Sequence, residues 1–101
     1  MGWHNVIAAS SMPNNTMRNF EVSGQKFLLV NAGGNFYAVS HWCSHDDVEL
    51  ALGCIKGETI HCSLHGGSFD LKTGRVLSEP ADVPLQTWRV QINSAQVQVF
   101  L

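Results

Sequence analysis

Positive charge is scarce in this chain. Lys and Arg number six against eight Asp and Glu, and charged residues make up only 14%, well below the usual quarter. Between Val30 and Ile60 the one cation is Lys56. A nucleic-acid-binding surface needs a basic stripe, and a net charge of −2 without one excludes that class. Long apolar runs are missing too, so no segment reads as a membrane span. The opening Met1-Gly2-Trp3-His4-Asn5-Val6 has neither the basic nor the apolar region of a signal peptide. Gly2 suggests myristoylation, but Val6 stands where Ser or Thr is required. A cytoplasmic protein is expected. Cysteines number only three, and an odd count in a reducing compartment argues against a disulfide framework and for metal ligation. Repeats, linkers, low-complexity segments and long amphipathic helices are all lacking.

What is present is a globular composition, 45% hydrophobic over 101 residues, which supports a single domain over residues 1–101. The apolar residues come in short runs of period two rather than 3.6. Phe27-Leu28-Leu29-Val30 and Phe36-Tyr37-Ala38-Val39 flank Asn31-Ala32-Gly33-Gly34-Asn35, a hairpin signature. Lys56-Gly57 precedes a strand ending at Cys62, and Lys72-Thr73-Gly74-Arg75 turns between Ser68–Leu71 and Val76-Leu77. Asp70 and Arg75 are placed to pair within that hairpin. A last hairpin turns at Asn93-Ser94, with Trp88, Val90 and Ile92 on one face. An opening strand near Trp3–Ala9 and a short helical turn in Asp47–Leu52 complete the reading. The fold class is all-β, built of small antiparallel sheets.

Two mixed pairs carry the chemistry. Cys43-Ser44-His45 is a C-x-H, and Cys62-Ser63-Leu64-His65 is a C-x-x-H. Thiolate is soft and imidazole borderline, a combination that selects iron–sulfur clusters, zinc or copper. Both pairs follow a strand end, and Gly66-Gly67 removes side chains where backbone must approach a bound group. Sixteen residues separate His45 from Cys62, enough for a hairpin that returns one loop to the other.

With Gly53-x-x-x-Gly57 between the pairs, then His65-Gly66-Gly67-x-Phe69-Asp70, Thr73-Gly74 and Pro80-Ala81, the chain resembles the Rieske [2Fe–2S] family over roughly residues 20–100. The resemblance implies a basal β-sandwich into which a cluster-binding part, about residues 41–81, is inserted with two ligand loops. It implies one Rieske-type [2Fe–2S] cluster, with Cys43 and Cys62 on one iron and the more exposed His45 and His65 on the other. Two ferric ions, two sulfides and two thiolates give a neutral oxidised cluster, whereas four thiolates leave a dianion, so the mixed set accepts an electron more readily.

Neighbouring residues separate the subtypes. Respiratory members, by resemblance, carry an extra disulfide-bonded Cys in each loop, where this chain has Val48 and Leu64. They also offer Ser and Tyr hydroxyls to the cluster, where this chain has Gly67 and Phe69. Without those donors a low potential is expected. The chain is similar to the ferredoxins that serve bacterial aromatic-ring dioxygenases. The residues after His65 contain no His, so a second, mononuclear iron site lacks its two histidine ligands there.

The implied role is a monomeric electron carrier and not an enzyme. It passes single electrons from a flavin-containing ferredoxin reductase to the Rieske centre of a terminal oxygenase, through transient contacts near His45 and His65. Neither nucleic acid nor membrane is an expected partner. Two alternatives stay open: a small Rieske-fold subunit of a multicomponent reductase such as nitrite reductase, and a structural zinc module, since zinc accepts Cys₂His₂. Of the remaining residues, Cys54 reads as a small buried hydrophobe and His41 and His61 as partly buried strand histidines. Trp42 reads as packing or an interface anchor. Asp46, Asp47 and Glu49 read as a solvated loop or an acidic rim facing a basic partner, and Pro80-Ala81 with Pro84 as a rigid segment over the cluster.

Overall fold

The computed structural model describes residues 1–44, 47–63, 67–78 and 83–101. In chain order its strands are β1 (Trp3–Ala8), β2 (Thr16–Val22), β3 (Gln25–Ala32), β4 (Asn35–Ser40), β5 (Cys54–Lys56), β6 (Thr59–His61), β7 (Ser68–Asp70), β8 (Val76–Ser78), β9 (Thr87–Trp88), β10 (Val90–Asn93) and β11 (Gln96–Phe100). Short 3-10 turns occupy Ala9–Ser11 and Leu50–Leu52, the second within the stretch where a helical turn is expected. The strands form three sheets of orders β1-β11-β10, β2-β3-β4-β9 and β5-β6-β7-β8, and every pairing among the described strands is antiparallel.

Strand β3 explains how the sheets stack. Its residues Phe27 to Ala32 are all buried, as a strand covered on both faces requires. Because successive side chains point to opposite faces, Leu28, Val30 and Ala32 join one core, with Val39, Ile60, Phe69 and Leu71. Leu29 joins another, with Ala38, Val97 and Val99. The β2–β3–β4–β9 sheet is therefore the shared middle layer. One face packs on the β1–β11–β10 sheet as a sandwich, and the other carries the β5–β8 sheet. Strand β9 pairs β4 at Ala38↔Trp88 and Val39↔Thr87, so residues 41–86 are an insertion between two neighbouring strands of the sandwich. This is the expected all-β architecture.

Local differences have physical causes. Strand β2 is not evident from composition, because Arg18, Asn19 and Glu21 interrupt its apolar pattern and it lies on a sheet edge. The final turn is Ser94-Ala95, one residue later than expected, with φ of 51° and 64° between the paired Asn93 and Gln96. Ile92 is 56% exposed and does not share a buried face with Trp88. The chain leaves the middle sheet after Trp88 and enters the outer sheet at Val90, which resets the alternation. Asp70 does not pair with Arg75. Its carboxylate accepts from the Thr73 N–H (3.0 Å) and hydroxyl (2.7 Å), and the Arg75 carbonyl accepts from the Asp70 N–H (2.8 Å).

Candidate metal centre

Both ligand loops are hairpin ends of the same build. In the first, Leu50 N–H donates to the His41 carbonyl (3.1 Å), and Cys43 N–H donates to the Val48 carbonyl (2.8 Å); between them Trp42 bridges Glu49. In the second, β6 and β7 pair to His61↔Ser68, and Cys62 N–H donates to the Gly67 carbonyl (2.8 Å). Each cysteine is thus the last tied residue of its hairpin, bonded to a carbonyl five residues further along. The segments so closed, 44–47 and 63–66, contain the two sequence-predicted histidines. His45 and His65 lie outside the described residues, as do Asp46, Leu64, Pro80 and Ala81.

The two cysteines are buried in one core cluster. Cys43 is 4% and Cys62 5% exposed, and both belong to the core cluster that contains Leu50, Ile60 and Phe69. No disulfide forms among the three cysteines. Gly53 brings the loops together. A Cβ there would lie 1.8 Å from the His61 carbonyl oxygen, so only glycine lets the end of the first loop abut the strand leading into Cys62. A third segment closes the arrangement. The Ser44 hydroxyl donates to the Val83 carbonyl, and Ser40 N–H and Gln86 N–H exchange bonds with the Gln86 carbonyl (3.1 Å) and Ser40 Oγ (3.0 Å). Gly74, at φ +79°, would place a Cβ 2.2 Å from the Leu85 carbonyl oxygen, so that turn too presses on the returning segment.

Two buried thiol side chains in one dry cluster fit a metal centre held from inside by sulfur. Among the described residues no group of three or more His, Cys, Asp and Glu assembles. His45 and His65, the histidines expected to complete the donor set, fall within segments 44–47 and 63–66 of the sequence.

The flanking residues differ from expectation in three places. Cys54 is exposed, not buried. It lies on edge strand β5, and alternation turns it away from the core that its neighbour Ile55 meets. His41 is not a partly buried strand residue. It is 4% exposed, with Nε2 3.1 Å from Glu49 Oε1. Glu49 is accordingly not a purely solvated loop residue, and Asn19 Nδ2 also donates to its Oε1 (3.4 Å). Trp42 is 46% exposed and stands edge-on to His41, ring centroids 4.5 Å apart. Sequence reasoning passed over Asn19 and Ser68, because hydrogen bonds across the fold leave no local signal. Ser68, 5% exposed, shares a 2.6 Å hydroxyl contact with Ser78.

Comparison with known proteins places the chain in a family. The family model for the Rieske [2Fe–2S] domain matches residues 2–89. The chain is 37% identical to ferredoxin CarAc of Metapseudomonas resinovorans over 96% of its own length and 92% of the relative's. It is 32% identical to the ferredoxin component of biphenyl 2,3-dioxygenase from Rhodococcus jostii (strain RHA1), covering 95% and 90%. Among solved structures, a chain in the complex of reduced oxygenase and oxidized ferredoxin in carbazole 1,9a-dioxygenase superposes with a TM-score of 0.90 at 34% identity, covering 97% of this chain and 92% of that one.

Proposed function

The chain belongs to the Rieske [2Fe–2S] family, and on that footing we propose that it is the ferredoxin component of a ring-hydroxylating dioxygenase system. It is an electron-transfer component and not a catalyst, and it carries one Rieske-type [2Fe–2S] cluster. Cys43 and Cys62 hold one iron, and His45 and His65 hold the other. When bound, the cluster takes up and releases one electron at a time.

The observation that carries the ligand assignment is the pair of matched hairpin ends. Each buries a cysteine in the same core and closes a segment that contains a histidine. The protein's part is then positional. Cys43 and Cys62 anchor from the dry side, where apolar neighbours exclude water. Gly53 keeps the loops in contact, and Ser44 ties the third segment to them. Phe69 is fully buried in the same cluster and brings no hydroxyl, and Gly67 brings no side chain. A low potential follows, since no side-chain donor at those positions stabilises the reduced state. The cluster-binding part spans about residues 41–81 of a single 1–101 domain.

The electron's destination is a terminal oxygenase and its source a flavin-containing reductase, each met transiently near His45 and His65. Charge supports this. Five of the eight acidic residues are Asp46, Asp47, Glu49, Glu79 and Asp82, while all six cations lie outside segments 31–55 and 76–88. An acidic bias in these stretches of sequence would favour a basic patch on a partner and speed encounter. No helix among the described residues is long and apolar enough to cross a membrane. A cytoplasmic monomer suits a carrier that must leave one partner for the next.

EPR spectroscopy of the dithionite-reduced protein tests the assignment. A Rieske-type signal with two irons per chain is expected, and stoichiometric zinc with no signal overturns it. Stopped-flow reoxidation by a ring-hydroxylating oxygenase tests the role, and size-exclusion chromatography the monomer.

A further inference from the structure

The first ligand hairpin is poorly supported by its own backbone. Its described residues belong to none of the three sheets, and among them the isolated bridge Trp42↔Glu49 stands between the His41–Leu50 and Cys43–Val48 bonds. A lone two-stranded ribbon of this kind is marginal in water. Its neck, however, is spanned a second time by side chains. His41 Nε2 meets Glu49 Oε1 at 3.1 Å, and Asn19 of β2 donates to the same oxygen at 3.4 Å. β2 belongs to the sandwich, so the contact crosses from the basal layer to the inserted loop.

We propose that His41 and Glu49, anchored by Asn19, are positioning residues that clamp the neck of the first ligand hairpin and so fix Cys43 toward the cluster. This rests on the reading that Cys43 is a ligand. The ring is held on three sides. It is 4% exposed, Trp42 stands edge-on to it, and Glu49 takes its Nε2. Its Nδ1 is buried without a hydrogen-bond partner. Burying an unpaired nitrogen is unfavourable, and a purely packing role would be served better by an apolar side chain. Among the described residues the one polar contact of the ring is its Nε2 bond to Glu49. The Glu49 backbone bridges Trp42 and accepts from the Leu52 N–H, while among the described residues its side chain meets His41 and Asn19. Its carboxylate faces a shallow groove lined by Asn19, Phe20, Glu21, Lys26 and His41, and Lys26 is already opposite Glu21 across the β2–β3 ladder. Groups that orient metal ligands typically cost about tenfold or more in metal retention when lost, and this pair acts on Cys43 through the backbone of the hairpin it spans.

The test compares Glu49→Ala, Glu49→Gln and His41→Leu with the native holoprotein. The measurements are the rate of cluster loss to an iron chelator, the EPR line width of the reduced form and the thermal midpoint. Glu49→Ala and His41→Leu are expected to lose the cluster about tenfold faster and to broaden the signal. Glu49→Gln, which keeps an acceptor for Nε2–H, is expected to restore both towards native values. Native-like retention and line width in Glu49→Ala would overturn the clamp. So would Glu49→Gln behaving as badly as Glu49→Ala, which would make the charge and not the bond the operative feature. A lowered thermal midpoint with an unchanged line width would reduce the pair to ordinary fold stability and overturn it as well. Absence of a Rieske signal from the native protein would instead sink the ligand reading itself.

Discussion

Gly53 presses against His61 so closely that a methyl group on it would stand 1.8 Å from the His61 carbonyl oxygen. One residue thus sets the approach of the two ligand loops, since Gly53 ends the first and His61 immediately precedes Cys62. Replacing Gly53 with Ala must push the loops apart. A loss of about 2–3 kcal/mol is expected from the overpacking, with a reduced yield of cluster-loaded protein. Thermal unfolding and iron content of the purified variant measure the two effects.

Thiol reactivity distinguishes the cysteines. Cys54 is exposed, whereas Cys43 and Cys62 are buried. A maleimide should label only Cys54 in the native holoprotein and all three cysteines after the cluster is extracted in denaturant; mass spectrometry counts the adducts. Cys43→Ser and Cys62→Ser should each abolish the visible absorbance of the cluster. They should also lower stability steeply, because ligation energy is folding energy.

The missing hydroxyls make a prediction of opposite sign to damage. Gly67→Ser and Phe69→Tyr add donors at two buried positions beside the ligand segments. Each donor that reaches a sulfur should raise the midpoint potential by roughly 40–90 mV, the one-electron equivalent of a hydrogen bond of about 1–2 kcal/mol. A redox titration followed by EPR measures the shift. An unchanged potential would mean that neither position faces the cluster.

The acidic loops predict a salt-dependent encounter. Changing Asp46 and Asp47 to Asn together should slow electron delivery to the oxygenase at low ionic strength and flatten its decline as salt is added. Stopped-flow rates across a salt series check this, and a profile identical to the native one would remove these two side chains from the docking surface.

Much of the fold was legible because its hairpins are local. Phe27–Val30 and Phe36–Val39 alternate around a Gly-Gly turn, and period-two patterning with a turn residue between is enough to announce two paired strands. β2 was not legible, because Arg18, Asn19 and Glu21 interrupt the alternation of an edge strand whose identity comes from its partner β3. Ile92 misleads for a related reason. Its pattern continues that of Trp88, yet the chain changes sheets between them.

For the site, residue type and spacing singled out Cys43, His45, Cys62 and His65, because soft-ligand chemistry depends on which atoms are present and how far apart they stand along the chain. The same reading named the absent donors at Gly67 and Phe69. Burial and cross-fold contacts were decided only by tertiary structure. It turned Cys54 outward and buried His41, and it joined Glu49 to Asn19 thirty positions away. A side chain's face depends on the layer its strand lies against, and a hydrogen bond across the fold depends on packing that no neighbouring residue encodes.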